Sequence, residues 1–404
     1  MPVGSTAIPR SVIVVGAGIF GVTAALELRR RGYRVSLFDP GPLPHAQAAS
    51  TDISKVIRMD YGADDLYLSL MEKAFAGWDE WNRRWDEPPY HETGFLLLAR
   101  RAMAPGSFEH DSYSLLTQHG HRPQRVNADT LQQRFPAWAA GCYADGYFNP
   151  RAGWAASGKV VRRLTDQAQA EGVVVREGLA FARLLEEGSR VAGVITRDGE
   201  QHRANNVVMA VGAWTPSLLP HLGDVMWATG QPVLYFRPDN YAEFQPPRFT
   251  VWAADIANTG WYGFPAMADG TLKIANHGPG RRVHPDEPRA VDAGTEAHFR
   301  AFLRESLTAL AGAPLIASRL CLYCDTWDGN FWIDRDPDRL GLVVAAGDSG
   351  HGFKFAPVLG GLIADALERK PNAFAARFAW RPRGPLATED ARYHENGQGD
   401  VAWR

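Results

Sequence analysis

The chain has 404 residues, 45% hydrophobic and 22% charged, which describes a folded globular protein and excludes a disordered or fibrous one. Lys plus Arg (43) nearly balance Asp plus Glu (45), and a net charge of −2 gives nucleic-acid binding no electrostatic support. Three cysteines are too few for a disulfide framework at this length and fit a reducing compartment.

No targeting segment is read in Met1 to Arg10, which lacks a charged start followed by an apolar run. The apolar stretch Val12 to Leu28 is broken by Gly16, Gly18, Gly21 and Thr23, and at about 17 residues it is short for a membrane span. Ala402-Trp403-Arg404 carries no lipidation signal or organelle address. The expectation is a cytoplasmic protein with neither a membrane nor a nucleic acid as partner.

The opening reads as strand, helix, strand. Ser11 to Val15 is a β-branched run suited to a strand buried on both faces. A helix follows to about Gly32, and Val35 to Phe38 is a second strand ending at Asp39. Apolar residues at 67, 71, 74, 78, 81 and 85 recur with a period near 3.5 and predict an amphipathic helix. Its stripe of Trp78, Trp81 and Trp85 reads as core packing rather than a stacking platform. From about 101 to 125 the chain is polar and Pro-rich, an excursion into a second domain. Helix is predicted at Ser157 to Ala170, and strands at Val173 to Val175, Val191 to Ile195 and Asn206 to Val211, closed by Gly212-Ala213-Trp214. The stretch from 221 to 317 reads as mainly antiparallel sheet with a helix near Thr295 to Ala311. Leu342 to Ala346 is a buried strand, and a helix runs from about Pro357 to Leu367.

Gly16-Ala17-Gly18-Ile19-Phe20-Gly21 is a G-x-G-x-x-G between strand and helix. The first glycine permits the tight turn, the second the approach of a pyrophosphate to the backbone, the third close helix–strand packing. The helix N-terminus offers free N–H groups and the positive end of a dipole to phosphates. Asp39, 18 residues beyond Gly21, is placed to bind a ribose hydroxyl. This predicts an adenine dinucleotide without choosing between NAD and FAD.

Cys321-Leu322-Tyr323-Cys324 has CxxC spacing and leaves three readings open: half of a metal site, a redox dithiol, or one covalent tether beside one packed cysteine. A metal site lacks two further ligands, and a dithiol ordinarily sits at a helix N-terminus, whereas this segment reads as extended. Gly347-Asp348-Ser349-Gly350-His351-Gly352-Phe353-Lys354 is a second glycine-rich loop between a strand and a helix. Its N–H groups suit the negative charge of a reduced flavin ring, which a nicotinamide does not develop.

Cys321-Leu322-Tyr323 with Thr326, Asp328, Phe331, Ile333 and Asp334, and then Gly350 to Lys354, resemble the signature of the monomeric sarcosine oxidase and fructosyl-amino-acid oxidase family, of the D-amino-acid-oxidase fold group. Gly212-Ala213-Trp214, Tyr262-Gly263-Phe264-Pro265 and Leu272-Lys273-Ile274 extend the resemblance over most of the chain, weakest from about 90 to 140. It implies an α/β fold: a Rossmann-like FAD-binding domain of the GR2 type (residues 1–90, 145–220 and 318–385) and a substrate domain on a mainly antiparallel sheet (91–144 and 221–317). Residues 386–404 form a C-terminal tail. The implied cofactor is FAD, bonded through its 8α-methyl to Cys321, with Cys324 a bystander. Gly16, Gly18, Gly21, Asp39, Val174, Gly212, Trp214, Gly350, Gly352, Phe353 and Lys354 are the expected cofactor contacts.

The implied reaction oxidises an amine's C–N bond to an imine by hydride transfer to flavin N5. Water hydrolyses the imine, and oxygen is reduced to hydrogen peroxide. Pattern alone makes Lys273 a solvated strand lysine; the resemblance makes it the residue that activates oxygen, its ammonium stabilising the superoxide-like anion. His277 and Lys55 complete the expected catalytic set. Arg58 and Lys354 match the two cations that hold a substrate carboxylate, joined by Tyr262, Tyr323 and, near the tail, Arg381. The segment Ser54 to Arg58, Asp325-Thr326 and Trp380-Arg381-Pro382 resemble fructosyl-amino-acid oxidases and the similar saccharopine oxidases, whereas His277 agrees with sarcosine oxidase. The expected protein is a monomeric oxidase of an N-substituted α-amino acid, most like a deglycating fructosyl-amino-acid oxidase. Sarcosine, pipecolate or saccharopine-type oxidation, or a flavin dehydrogenase using another acceptor, are the alternatives.

Overall fold

The computed structural model describes residues 10–393; the readings made on residues 1–9 and 394–404 lie outside them. The fold is mixed α/β, built on two large sheets. The first has six strands in the order Trp332–Arg335, Leu342–Ala346, Asn206–Met209, Ser11–Val15, Arg34–Asp39 and Val174–Glu177. All neighbours run parallel except the outermost pair, Trp332–Arg335 with Leu342–Ala346. Ser11–Val15 is central, and its alternating residues enter two different cores: Val12 and Val14 pack under the helices Ile19–Arg30 and Ala356–Glu368, Ile13 and Val15 on the opposite face. That is why the run is apolar at consecutive positions rather than alternating.

The second sheet is mainly antiparallel and carries the strands Phe95–Ala99, Asp145–Asn149, Met226–Phe236, Val251–Ala254, Trp261–Gly263, Leu272–Asn276 and Leu315–Thr326, with two short edge strands. Two of its members were expected with the cofactor domain. Asp145–Asn149 pairs antiparallel with Phe95–Ala99. Leu315–Thr326 pairs with Met226–Phe236 from Met226–Thr326 to Phe236–Leu315. For the second strand the reason is length: Met226–Phe236 and Leu315–Thr326 form one long ladder that holds the whole Cys321 segment against the second sheet. The polar stretch after residue 101 holds a helix, Phe108–Gln118, whose apolar spacing the prolines and histidines around it conceal; Ser107 caps it by accepting from His110 N–H. The tryptophan stripe lies in the helix Asp65–Arg84, with Trp78 buried and its indole N–H bonded to the Lys354 carbonyl at 2.7 Å. No helix among the described residues is long and apolar enough to cross a membrane.

Candidate active site

Two cavities meet inside the molecule. The larger, of about 270 Å³, follows the C-terminal ends of the parallel strands and is lined by Gly16, Gly18, Asp39, Gly212, Trp214 and Gly350, among others. The smaller, of about 70 Å³, is lined by Arg58, Tyr262, Lys273, His277, Lys354 and Glu389. Lys55, Tyr323, Gly350 and Phe353 face both. A crevice beyond the carboxyl ends of parallel strands is where open α/β sheets bind dinucleotides.

The larger cavity fits a dinucleotide on its own geometry. Gly16 has φ +94°, and a Cβ there would lie 2.4 Å from the Ala210 carbonyl oxygen, so only glycine turns the chain here. The helix that follows has no side-chain cap at Gly18; Ile19 N–H donates to the Ser50 hydroxyl at 3.2 Å, and the next N–H groups of the first turn remain for an anion. Asp39 accepts from Ala17 N–H at 2.8 Å and Gly41 N–H at 3.1 Å, which ties the strand end to the glycine turn. At the far end Gly350 has φ +80° and lies against the Tyr323 ring, where a Cβ would approach to 2.3 Å. Gly21 and Gly352 support these turns from outside the cavity walls. Val174 lies on the edge strand, 48% exposed, and lines neither cavity.

Cys321 and Cys324 project to opposite faces of their strand. Cys321 packs with Tyr323, Val233 and Tyr235, its sulfur 3.9 Å from Lys55 Nζ. Cys324 is buried against Met226, and that burial raises its thiol pKa. All three cysteines are free. Facing apart, the pair of the CxxC makes neither a chelate nor a dithiol, and no metal-holding group of three or more His, Cys, Asp or Glu exists among the described residues.

Lys273 lies fully inside the smaller cavity's wall, not on a solvated strand face. Its Nζ donates to Asp52 Oδ2 at 2.6 Å and to the Ser54 carbonyl at 2.7 Å. Burial pulls its pKa down to about 8 in spite of Asp52. Burial opposes charge on Asp52 too, yet Lys273 and Lys55 hold its carboxyl well below the usual range. Lys55 Nζ is 3.8 Å from the same carboxylate. His277 Nε2 meets Glu389 Oε1 at 2.7 Å and its Nδ1 meets the Tyr323 hydroxyl at 3.4 Å. Burial keeps this imidazole pKa below its ordinary value despite Glu389.

Arg58 is buried, its guanidinium 5.1 Å from the Tyr61 ring centroid and 5.8 Å from that of Phe108. Lys354 donates to the Tyr61 hydroxyl and to the His351 carbonyl, each at 2.9 Å. Burial, reinforced by Arg58, lowers its pKa well below that of an ordinary lysine. The Arg58 guanidinium and the Lys354 amine thus border one cavity, with Glu389 Oε2 3.8 Å from Arg58 Nη2, and two neighbouring nitrogen donors are an arrangement that recognises a carboxylate.

Arg381, expected at that carboxylate, is elsewhere. Its Nε and Nη2 donate to both oxygens of Asp328 at 2.7 Å, its Nη1 donates to the carbonyls of Phe331 and Ala379, and the plane covers Trp332. It lines neither cavity, because Asp328 claims the guanidinium fork first. Conversely, sequence reasoning missed Asp52, which stands three residues before Lys55, and Glu389, which lay in a segment read as tail. The strap 386–393 is instead folded into the site: Arg392 makes a bidentate buried pair with Asp325 at 2.7 and 2.8 Å. Tyr393 N–H donates to the His277 carbonyl at 3.0 Å. The charged run Glu389, Asp390, Arg392 was the available signal.

A family model described as FAD dependent oxidoreductase matches residues 11–366. Among curated relatives, monomeric sarcosine oxidase of Bacillus sp. (strain B-0618) is 27% identical over 87% of this chain and 90% of its own length. N-methyl-L-tryptophan oxidase of Salmonella arizonae is 29% identical over 89% of this chain and 95% of its own. Among solved structures, the deglycating enzyme fructosamine oxidase (Amadoriase II) of Aspergillus fumigatus superimposes with a TM-score of 0.82 at 27% identity, covering 96% of this chain and 95% of that one.

Proposed function

The chain belongs to the FAD dependent oxidoreductase family, and from that premise we propose that it oxidises the C–N bond of an N-substituted α-amino acid. The observation that carries the reading is the meeting of the two cavities at Lys55, Tyr323, Gly350 and Phe353, with Arg58 and Lys354 converging in the smaller one. FAD, when bound in the larger cavity, supplies the two-electron acceptor that oxygen then reoxidises. Arg58 and Lys354 bind the substrate carboxylate and so fix which face of the α-carbon lies toward the shared wall. The rings of Phe95, Tyr262 and Phe264 exclude water from the amine. The resulting imine is hydrolysed to a free amine and a carbonyl compound, and the two electrons leave as hydrogen peroxide.

Lys273, fixed by Asp52 and Ser54, supplies a preorganised positive charge to the anion that develops as oxygen is reduced. Cys321 is the covalent tether of FAD in this reading, with Lys55 against its sulfur. Its position on the same strand face as Tyr323 supports that assignment. A monomeric chain belongs to the same reading, supported by the likeness to a relative named monomeric sarcosine oxidase.

For the substrate, the segment Ser54 to Arg58 and the likeness to the Aspergillus deglycating enzyme support a fructosyl-type secondary amine. The small inner cavity, about 70 Å³, favours an N-methyl amino acid as the second reading. A panel of fructosyl, N-methyl, cyclic and dicarboxylic secondary amino acids, followed by peroxide release and anaerobic bleaching, decides. Peroxide from the fructosyl members is the expected result. Bleaching without peroxide identifies a dehydrogenase, and no bleaching by any member refutes the proposal.

A further inference from the structure

Two polar atoms in the wall of the smaller cavity lack a hydrogen-bond partner. Nη1 of Arg58 and Oε2 of Glu389 are both buried and make no hydrogen bond among the described residues. Oε2 faces Nη2 of Arg58 as an ion pair at 3.8 Å, beyond hydrogen-bond reach, and each side chain is 7% exposed. A buried donor and a buried acceptor on neighbouring side chains, each without a hydrogen bond, are costly unless a ligand supplies their partners. We propose that Glu389 is a substrate-binding residue whose Oε2 accepts an N–H from the substrate's amine while Nη1 of Arg58 donates to the substrate's carboxylate.

This rests on the amino-acid oxidase reading and deepens it. An α-amino acid carries its amine and its carboxylate on one carbon, so its receptor needs an acceptor and a donor as neighbours, as Glu389 and Arg58 are. Glu389 is also held in place from both sides. His277 Nε2 occupies Oε1 at 2.7 Å, which leaves Oε2 as the oxygen without a hydrogen bond. Ahead of it, Ala387 N–H donates to the Trp327 carbonyl at 2.8 Å; behind it, the Arg392–Asp325 pair clamps the strap. The carboxylate stays ionised: burial opposes this, but His351, His277 and Arg58 hold its pKa well below the usual range.

The test compares ligands that differ only in the amine. N-methylglycine is matched with butyrate and N-benzylglycine with 4-phenylbutyrate, a CH2 replacing the nitrogen in each. Dissociation constants come from the change in flavin absorbance of the holoenzyme, and from saturation of anaerobic bleaching for oxidisable members. Wild type should bind each amine at least about tenfold tighter than its carbon analogue, as expected for a hydrogen bond to a charged group. Glu389→Gln should erase that preference, weakening the amines while leaving butyrate and 4-phenylbutyrate unchanged or tighter. Glu389→Asp, which keeps the charge, should retain part of it.

Tighter binding of all four ligands to Glu389→Gln would overturn the assignment and make Glu389 a competitor for Arg58. Equal weakening of all four would overturn it in favour of a purely structural strap. Binding with the amine preference but without turnover of any secondary amine sinks the oxidase reading and leaves Glu389 standing. Turnover without the preference does the reverse.

Discussion

Replacing Lys273 by methionine removes an ammonium and strands its partner. Nζ lies 2.6 Å from Asp52 Oδ2, and the two side chains are 1% and 2% exposed. Breaking a buried pair from one side costs about 3–5 kcal/mol, mostly the penalty of an uncompensated charge. Asp52 keeps the Tyr235 hydroxyl at 2.8 Å and Lys55 at 3.8 Å, which places the expected loss near the lower end, about 3 kcal/mol. For a chain of this size that is a fall of roughly 4 °C in melting temperature. Adding Asp52→Asn removes the stranded charge, and what remains is largely the hydrogen bond to the Ser54 carbonyl, about 1 kcal/mol. The double variant should therefore be about 2 kcal/mol more stable than the single one, by urea and thermal denaturation of the flavin-loaded protein. A double variant no more stable than Lys273→Met would show that the cost is not electrostatic and refute the reasoning. Stopped-flow measurements on the single variant test the second half of the argument. Reoxidation by oxygen should slow by about 100-fold or more, with anaerobic reduction changed only a few-fold. Equal loss in the two half-reactions would remove Lys273 from oxygen chemistry.

Because burial sets the Lys273 pKa at about 8, its charge is present below that pH and lost above it. The rate of reoxidation should fall as pH rises through about 8, and Lys273→Arg should abolish that fall; a flat profile in wild type contradicts the assignment. Cys321→Ala should release all flavin from acid-precipitated protein while Cys324→Ala retains it; a colourless wild-type pellet would exclude the tether. Arg381→Ala should cost roughly 3 kcal/mol by stranding Asp328, with KM unchanged within a factor of about two; a large rise in KM with stability intact would return Arg381 to the substrate site.

The cofactor half of the fold was legible because each of its signals is local. The glycine turn, the buried β-branched strand and Asp39 lie within 30 residues, and short-range sterics decide them. The second sheet was legible only in kind. Whether Asp145–Asn149 belongs to one sheet or the other is decided by pairing with Phe95–Ala99, about 50 residues away, and alternation alone does not name a partner. The same limit separates Arg58 from Arg381. Both are arginines in plausible contexts, and their roles diverge on whether a carboxylate such as Asp328 satisfies the fork. Asp52 and Glu389 went unread because a buried acid is recognised by its partner, Lys273 in one case and His277 in the other, and those contacts span 221 and 112 residues.

The strand Leu315–Thr326 carries Cys321, Tyr323 and Asp325 on one face. The first sits against Lys55, the second walls both cavities and the third anchors the strap. Substitution can tune any of the three alone, but inserting or deleting a single residue upstream in this strand would turn all three away together. Adaptation to new amines within this lineage is therefore expected to proceed by point changes along this strand, with length variation confined to the loops around it.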